Sequence, residues 1–190
     1  MKASAVVFVT NRYSPVVETL CSNRDISLVG IIHYALSDSA DRRLLSFAEE
    51  HELPCFRSID DFAGSDIPRP DFLAVFSLHK ILTADETALP KIAALNLHPS
   101  LLPLYKGPNP WQEQFKDRVE VSGFTVHKIT PDIDGGEIIS QQAFKMDYSL
   151  PGDAIMDNSL KDIGGPLLAD TIINYGEIIG DKEKVKYRSR

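Results

Sequence analysis

Hydrophobic patterning begins with Ala5-Val6-Val7-Phe8-Val9, a continuous apolar run that meets the polar stretch Thr10 to Ser14. A β-branched run without polar alternation suits a strand buried on both faces. Ser27 to His33 repeats the pattern, and the intervening Pro15 to Cys21 is helix-like. Between Ser39 and His51 the spacing becomes helical, with Ala40, Leu44, Phe47 and Ala48 on one face and charges opposite. Further strands are expected at Pro54 to Arg57, Phe72 to Phe76 and Lys91 to Leu97, with the polar stretch Asp60 to Pro70 as a connection. Strands alternating with helices predict βαβ units around a parallel sheet.

After Pro110 the pattern changes. Phe124 to Ile129 and Glu137 to Phe144 read as strands joined by a glycine-containing loop. Pro151 to Gly180 reads as mostly helical, with Gly164-Gly165-Pro166 expected to start, break or kink it. The sequence shows no repeat, low-complexity segment or interdomain linker, so residues 1–190 are expected to form one domain.

Composition narrows the class. With 43% hydrophobic and 25% charged residues, the chain has the balance of a soluble globular protein. No apolar run approaches a membrane span. A net charge of −7 argues against general nucleic-acid binding, which needs a concentrated basic surface. The basic tail Lys182, Lys184, Lys186, Arg188 and Arg190 is expected to be a solvated terminus. Cys21 and Cys55 have neither metal-ligand spacing nor partners for a disulfide framework, and no metal site is expected. The start of the chain lacks the long apolar stretch of a signal peptide, so a cytoplasmic location is expected.

The chemistry concentrates at Asn96-Leu97-His98. Residues two apart on a strand share a face, so Asn96 and His98 point one way while Leu97 points into the core. Strand carboxyl ends are where open α/β sheets bind ligands, and Pro99 ends the hydrogen-bonding ladder there. Asp132-Ile133-Asp134-Gly135-Gly136 adds a carboxylate loop whose glycines let backbone pass close to a ligand. An amide, an imidazole and a carboxylate together can move a proton and polarise a carbonyl. The same residues also serve to cap a strand end or close a turn, the commoner use of each, and spacing alone does not choose between the two.

Asn96-Leu97-His98-Pro99-Ser100-Leu101-Leu102-Pro103, Lys106-Gly107, Gly123 to His127 and Ile133-Asp134-Gly135-Gly136 together resemble the formyltransferase family. That family includes glycinamide ribonucleotide transformylase, the catalytic domain of methionyl-tRNA formyltransferase and sugar N-formyltransferases. The resemblance implies a three-layer, Rossmann-like α/β domain with a mostly parallel sheet, spanning 1–190 as one catalytic domain. It also implies transfer of formyl from 10-formyltetrahydrofolate to a primary amine of a small metabolite, an amino sugar or a glycinamide-ribonucleotide-like acceptor. The catalytic set falls on Asn96, His98 and Asp134. Asn96 and a protonated His98 would hold charge on the formyl oxygen, His98 would move the proton, and Asp134 would orient His98 and raise its pKa. Direct amine attack needs no enzyme nucleophile.

Phe76 to Leu82 resembles the family's folate-pocket segment. The implied folate contacts are an apolar slot at Ile81 and Leu82, backbone groups near Lys80 and Leu82, and the loop carrying Asp132 and Ile133. Ordinary core packing is the alternative for Ile81 and Leu82. His127 is expected to be strand structure with a minor supporting role.

The acceptor side departs from glycinamide ribonucleotide transformylase. Its glycine- and serine-containing phosphate turn is replaced by Asn11-Arg12-Tyr13, where Arg12 offers a phosphate partner or a solvated charge. Its acidic substrate residue falls on Lys161, with Asp162 adjacent. Pro108 and Asn109, in a turn closer to the sugar-modifying members, complete the implied acceptor contacts, and Trp111 reads as core or as a stacking surface. A tRNA acceptor is disfavoured by the negative charge and by the lack of room for a further barrel domain. Neither nucleic acid nor membrane is an expected partner, and a homodimer stays open. The rival readings are a formyltetrahydrofolate deformylase, with water replacing the amine, and a non-catalytic folate- or metabolite-binding module.

Overall fold

The structure is a computed structural model that describes residues 2–10, 15–34, 42–78 and 80–188, with backbone only for 34 and 182–188. Five parallel strands come first: β1 (Ala3–Thr10), β2 (Ile26–Tyr34), β3 (Cys55–Phe56), β4 (Phe72–Phe76) and β5 (Ala93–His98). Two antiparallel strands, β6 (Val121–Lys128) and β7 (Ile138–Lys145), extend the sheet. The strand order is β3-β2-β1-β4-β5-β6-β7. The chain therefore builds outward from β1, then returns to lay β4 on its other side. That reversal parts the loops at the carboxyl ends of β1 and β4 and opens a crevice there. The fold is Rossmann-like and mostly parallel.

The continuous apolar run of β1 divides between two cores. Ala5, Val7 and Val9 face α1 (Pro15–Ser22), α2 (Arg42–Glu50) and α7 (Gly165–Ile173), whereas Val6 and Phe8 face α3 (Ile59–Ala63). A strand covered on both faces has no polar side to display, which explains its unbroken hydrophobicity. The same alternation on β5 sends Leu95 and Leu97 into the first core. Asn96 and His98 consequently share the face of Ala94.

Three helices arise where periodicity gave no signal. In the stretch Asp60 to Pro70, read as a connection, α3 starts on a Ser58 cap whose hydroxyl accepts from the Asp61 amide at 3.0 Å. A Thr83–Glu86 capping box starts α4 (Ala84–Thr87), which buries no residue. Pro110 opens α5 (Pro110–Asp117), whose buried residues are Pro110 and Gln114. Side-chain caps start the first two of these helices and a proline starts the third. Farther on, α6 (Gly152–Ser159) passes through a π-helical turn, Leu160–Gly164, into α7, and this irregular turn falls where Pro166 supplies no N–H to the helical ladder. The helix α8 (Tyr175–Arg188) carries the chain into the basic tail as helix. Among the described residues, no helix is long and apolar enough to cross a membrane.

Behind β5 the chain turns sharply, and Thr125 on β6 holds that turn. Its buried hydroxyl donates to the Ser100 carbonyl at 2.6 Å and accepts from the Leu102 amide at 3.1 Å and from Gln141 at 2.8 Å. Gln114 reaches the Pro99 carbonyl at 2.8 Å from the other side. Thr125→Val keeps the shape and removes the hydroxyl, so it is expected to cost about 2 kcal/mol from unpaired buried groups. Urea denaturation measures this, and unchanged stability would show that the turn does not depend on Thr125.

Candidate active site

A cleft of about 510 Å³ opens at the carboxyl ends of β1, β4 and β5. Its floor is Asn96 and His98 at the end of β5, with His127 beside them on β6. The register of the antiparallel pair sets this arrangement, because Asn96 lies opposite His127 and His98 opposite Thr125. One wall is the segment after β4 together with the loop Thr130 to Asp134. The other is Pro108 to Gln112 with Asp153, Met156 and Asp157 of α6.

Hydrogen bonds assign the protons. His98 Nε2 lies 2.9 Å from the Tyr105 carbonyl, which only accepts, so Nε2 carries the hydrogen. Tyr105 has φ +54°. Nδ1 of His98 then faces Asp134 Oδ2 at 3.6 Å. The same oxygen accepts the Gly107 amide at 2.9 Å, while Oδ1 lies 3.5 Å from His127 Nε2. Asn96 Nδ2 stands 3.0 Å from His127 Nε2, and His127 Nδ1 stands 2.9 Å from the Lys128 carbonyl. One carboxylate is thus shared between two imidazoles and a backbone amide.

Asp134 adopts φ +48°, a left-handed conformation that Asp tolerates better than most residues. Of the glycines after it, Gly136 is sterically required, because a Cβ there would lie 1.8 Å from the Lys128 carbonyl oxygen. A Cβ on Gly135 would instead displace the exposed side chain of Asp132, whose Oδ2 lies 1.9 Å from that position.

Burial dominates the electrostatics of His98. Only 4% exposed, it is pushed below the usual histidine pKa by desolvation, although the Tyr105 carbonyl and the Asp134 carboxylate pull upward. Burial therefore favours the neutral imidazole over the charged one. Asp134 thus acts on His98 in the expected direction, but the cost of burial outweighs it, and the Tyr105 carbonyl is a second group that holds the ring. Burial also pushes Asp134 upward, but His127, the Gly107 amide and the charge of the imidazoles outweigh it, and its carboxyl stays below the ordinary range.

The expected binding residues divide. Asp132, Ile133, Lys80, Ile81, Leu82, Pro108 and Asn109 all line the cleft. Leu82 packs into the core around Phe62, whereas Ile81 is 65% exposed and Ile133 55% exposed at the cleft. Core packing thus accounts for Leu82 and not for Ile81. The Lys80 ammonium pairs with Glu86. Trp111 is half-buried at the cleft and belongs to neither core. Asn11, Arg12 and Tyr13 lie outside the described residues. Lys161 and Asp162 lie on the π-helical turn and do not line the cleft. The acidic side chains that do so from this region are Asp153 and Asp157, one turn apart on α6, and their four-residue spacing was the signal that could have found them. Tyr105 and Gly107 were also missed as partners, because they act through backbone groups that no side-chain pattern reveals. Among the described residues, no group of three or more His, Cys, Asp or Glu is placed to hold a metal ion.

Residues 63–171, more than half the chain, match the family model described as "Formyl transferase". A methionyl-tRNA formyltransferase of Thermotoga maritima is 35% identical over 105 residues, covering 53% of this chain and 34% of that protein. The chain thus spans about a third of the length of that relative. Among solved structures, a formyltetrahydrofolate deformylase of Pseudomonas syringae superposes with a TM-score of 0.75 at 19% identity, covering 93% of this chain and 62% of that one. A phosphoribosylglycinamide formyltransferase of Anaplasma phagocytophilum gives a TM-score of 0.66 at 22% identity, covering 94% and 86%. These two similarities are similarities of fold.

Gly136→Ala forces a methyl group against the Lys128 carbonyl and is expected to destabilise the protein by about 1–3 kcal/mol. The midpoint of a urea titration checks it. A wild-type midpoint would show that the loop can move away without cost.

Proposed function

The chain belongs to the formyl transferase family, and on that premise we propose that it transfers a formyl group from 10-formyltetrahydrofolate to a primary amine of a small metabolite. The observation that carries the reading is the meeting of Asn96, His98 and Asp134 on the floor of one cleft, with the Asp134 carboxylate facing His98 Nδ1.

The chain's own groups suit each step. The acceptor amine attacks the formyl carbon, forming a C–N bond, and the bond from that carbon to folate N10 breaks. Negative charge develops on the formyl oxygen, where an Asn96 N–H is placed to receive it. Neutral His98 accepts the amine proton at Nδ1, because Nε2 is occupied by the Tyr105 carbonyl. The imidazolium so formed faces Asp134, and the proton returns to N10 of the leaving folate. Atoms balance without a covalent enzyme intermediate.

Ile81 and Ile133 fit the folate. Large aliphatic side chains left exposed at a cleft offer a flat apolar slot for the pterin ring. Lys80 contributes backbone groups there, its ammonium being held by Glu86. Pro108, Asn109 and Trp111 supply the acceptor side. With Asp153 and Asp157 on that wall, and a net charge of −7, the cleft favours an amine bearing hydroxyls over a polyanionic acceptor. An amino sugar fits this chemistry. Asn11, Arg12 and Tyr13, which follow β1 in the sequence, are assigned to the same acceptor.

Single-turnover release of tetrahydrofolate from 10-formyltetrahydrofolate tests the proposal. The acceptor panel comprises amino sugars, their nucleotide conjugates, glycinamide ribonucleotide and methionyl-tRNA, the last because relatives carry that name. Release that requires one small amine, with formyl recovered on it, is the expected result. Formylation of methionyl-tRNA alone overturns the acceptor assignment. Formate release at the same rate without any amine makes the protein a deformylase, and no release makes it a binding module.

His98→Ala is expected to lower turnover by about 10²–10⁴-fold, the range for loss of a general acid–base, with folate affinity little changed. Wild-type turnover would remove His98 from the mechanism. Because its pKa is lowered, the acid limb of kcat/KM should lie below the ordinary histidine value of about 6.5. In Asp134→Asn the carboxylate that favours the imidazolium is gone, so the residual activity should show that limb at still lower pH. An unmoved limb would contradict the coupling of Asp134 to His98.

A further inference from the structure

We propose that His127 is a positioning residue that decides which end of the Asn96 carboxamide is offered to the substrate. The inference rests on the reading of Asn96 as donor to the formyl oxygen and assigns what makes that donor available. A carboxamide has two opposite ends of nearly the same shape, and only the NH₂ end stabilises a developing oxyanion. Asn96 does not select that end by itself, since a half-turn about its last bond exchanges nitrogen and oxygen.

The selection is made across the β5–β6 pair. His127 is 3% exposed and stands opposite Asn96 in the register. Its Nδ1 lies 2.9 Å from the Lys128 carbonyl, which only accepts, so Nδ1 carries a hydrogen. In the neutral ring Nε2 is then a bare lone pair. That lone pair, 3.0 Å from Asn96 Nδ2, accepts one of the two amide hydrogens. The nitrogen end is thereby fixed, and its second hydrogen is left for a ligand. A ring protonated on Nε2 as well would turn toward Asp134 Oδ1, 3.5 Å away, and would draw the oxygen end of Asn96 toward itself. The backbone carbonyl of Lys128 therefore sets the tautomer of His127, and the tautomer sets the amide.

The test separates the two ends of the imidazole. His127→Gln can place a side-chain oxygen near the position of Nε2, whereas His127→Asn reaches only the Nδ1 position. His127→Asn is expected to lower kcat by about 10–100-fold, part of the loss seen when an oxyanion donor is removed, with KM for the formyl donor within about threefold. His127→Gln should recover most of that loss. In an Asn96→Ala background, replacing His127 should change kcat by less than about twofold, because both residues act through one interaction. Additive losses, or an Asn variant as active as the Gln variant, overturn the proposal. Nitrogen NMR of the wild-type imidazole gives a readout independent of turnover: in the neutral ring, Nδ1 protonated and Nε2 bare is expected, and a neutral ring with its proton on Nε2 overturns it. If the wild-type protein transfers no formyl group, the proposed function fails while the tautomer measurement still decides the hydrogen-bond assignment.

Discussion

The pairing of β5 with β6 is the contact from which the site is built. It sets Asn96 against His127 and His98 against Thr125, so one register places two imidazoles, an amide and the anchor of the adjoining turn. Antiparallel partners directly opposite each other are close enough for side-chain contact, and a slip of one residue would turn every side chain to the other face. The large apolar residues flanking this pair resist such a slip. Leu95, Leu97, Phe124 and Val126 share one core, and exposing them would cost far more than the polar contacts could return.

Burial and charge oppose each other at His98, and their balance shapes the chemistry. Desolvation favours the neutral ring, whereas the Asp134 carboxylate facing Nδ1 favours the cation. A fully exposed carboxylate would be screened, whereas Asp134 keeps only 12% of its side-chain surface exposed and stays ionised through its own partners. The loop that holds it needs a left-handed aspartate and, at Gly136, a residue without a side chain, so its geometry leaves little freedom of sequence there.

The cleft combines walls of different character. Ile81 and Ile133 lie exposed on one side, and Asp153 and Asp157 stand on the other. Between them lies the floor of amide, imidazole and carboxylate. The two walls therefore offer apolar surface on one side and negative charge on the other.

The sequence alone determined the buried strands, since an unbroken apolar run has no face for water, and it placed Asn96 and His98 on one side of Leu97 through the two-residue period of a strand. The Asp134-Gly135-Gly136 loop was legible as a place of close backbone approach, but what Gly136 approaches is the Lys128 carbonyl. Helices α3, α4 and α5 were not, for their stability comes from caps and from single buried contacts. Only the tertiary structure decided that Ile81 faces the cleft while Leu82 enters the core, that the acidic wall is Asp153 and Asp157 and not the π-helical turn, and that His127 touches Asn96. It also decided that burial outweighs the upward pull of Asp134 on His98, because a neighbour's charge can be read from a motif, but the cost of removing a ring from water depends on everything packed around it.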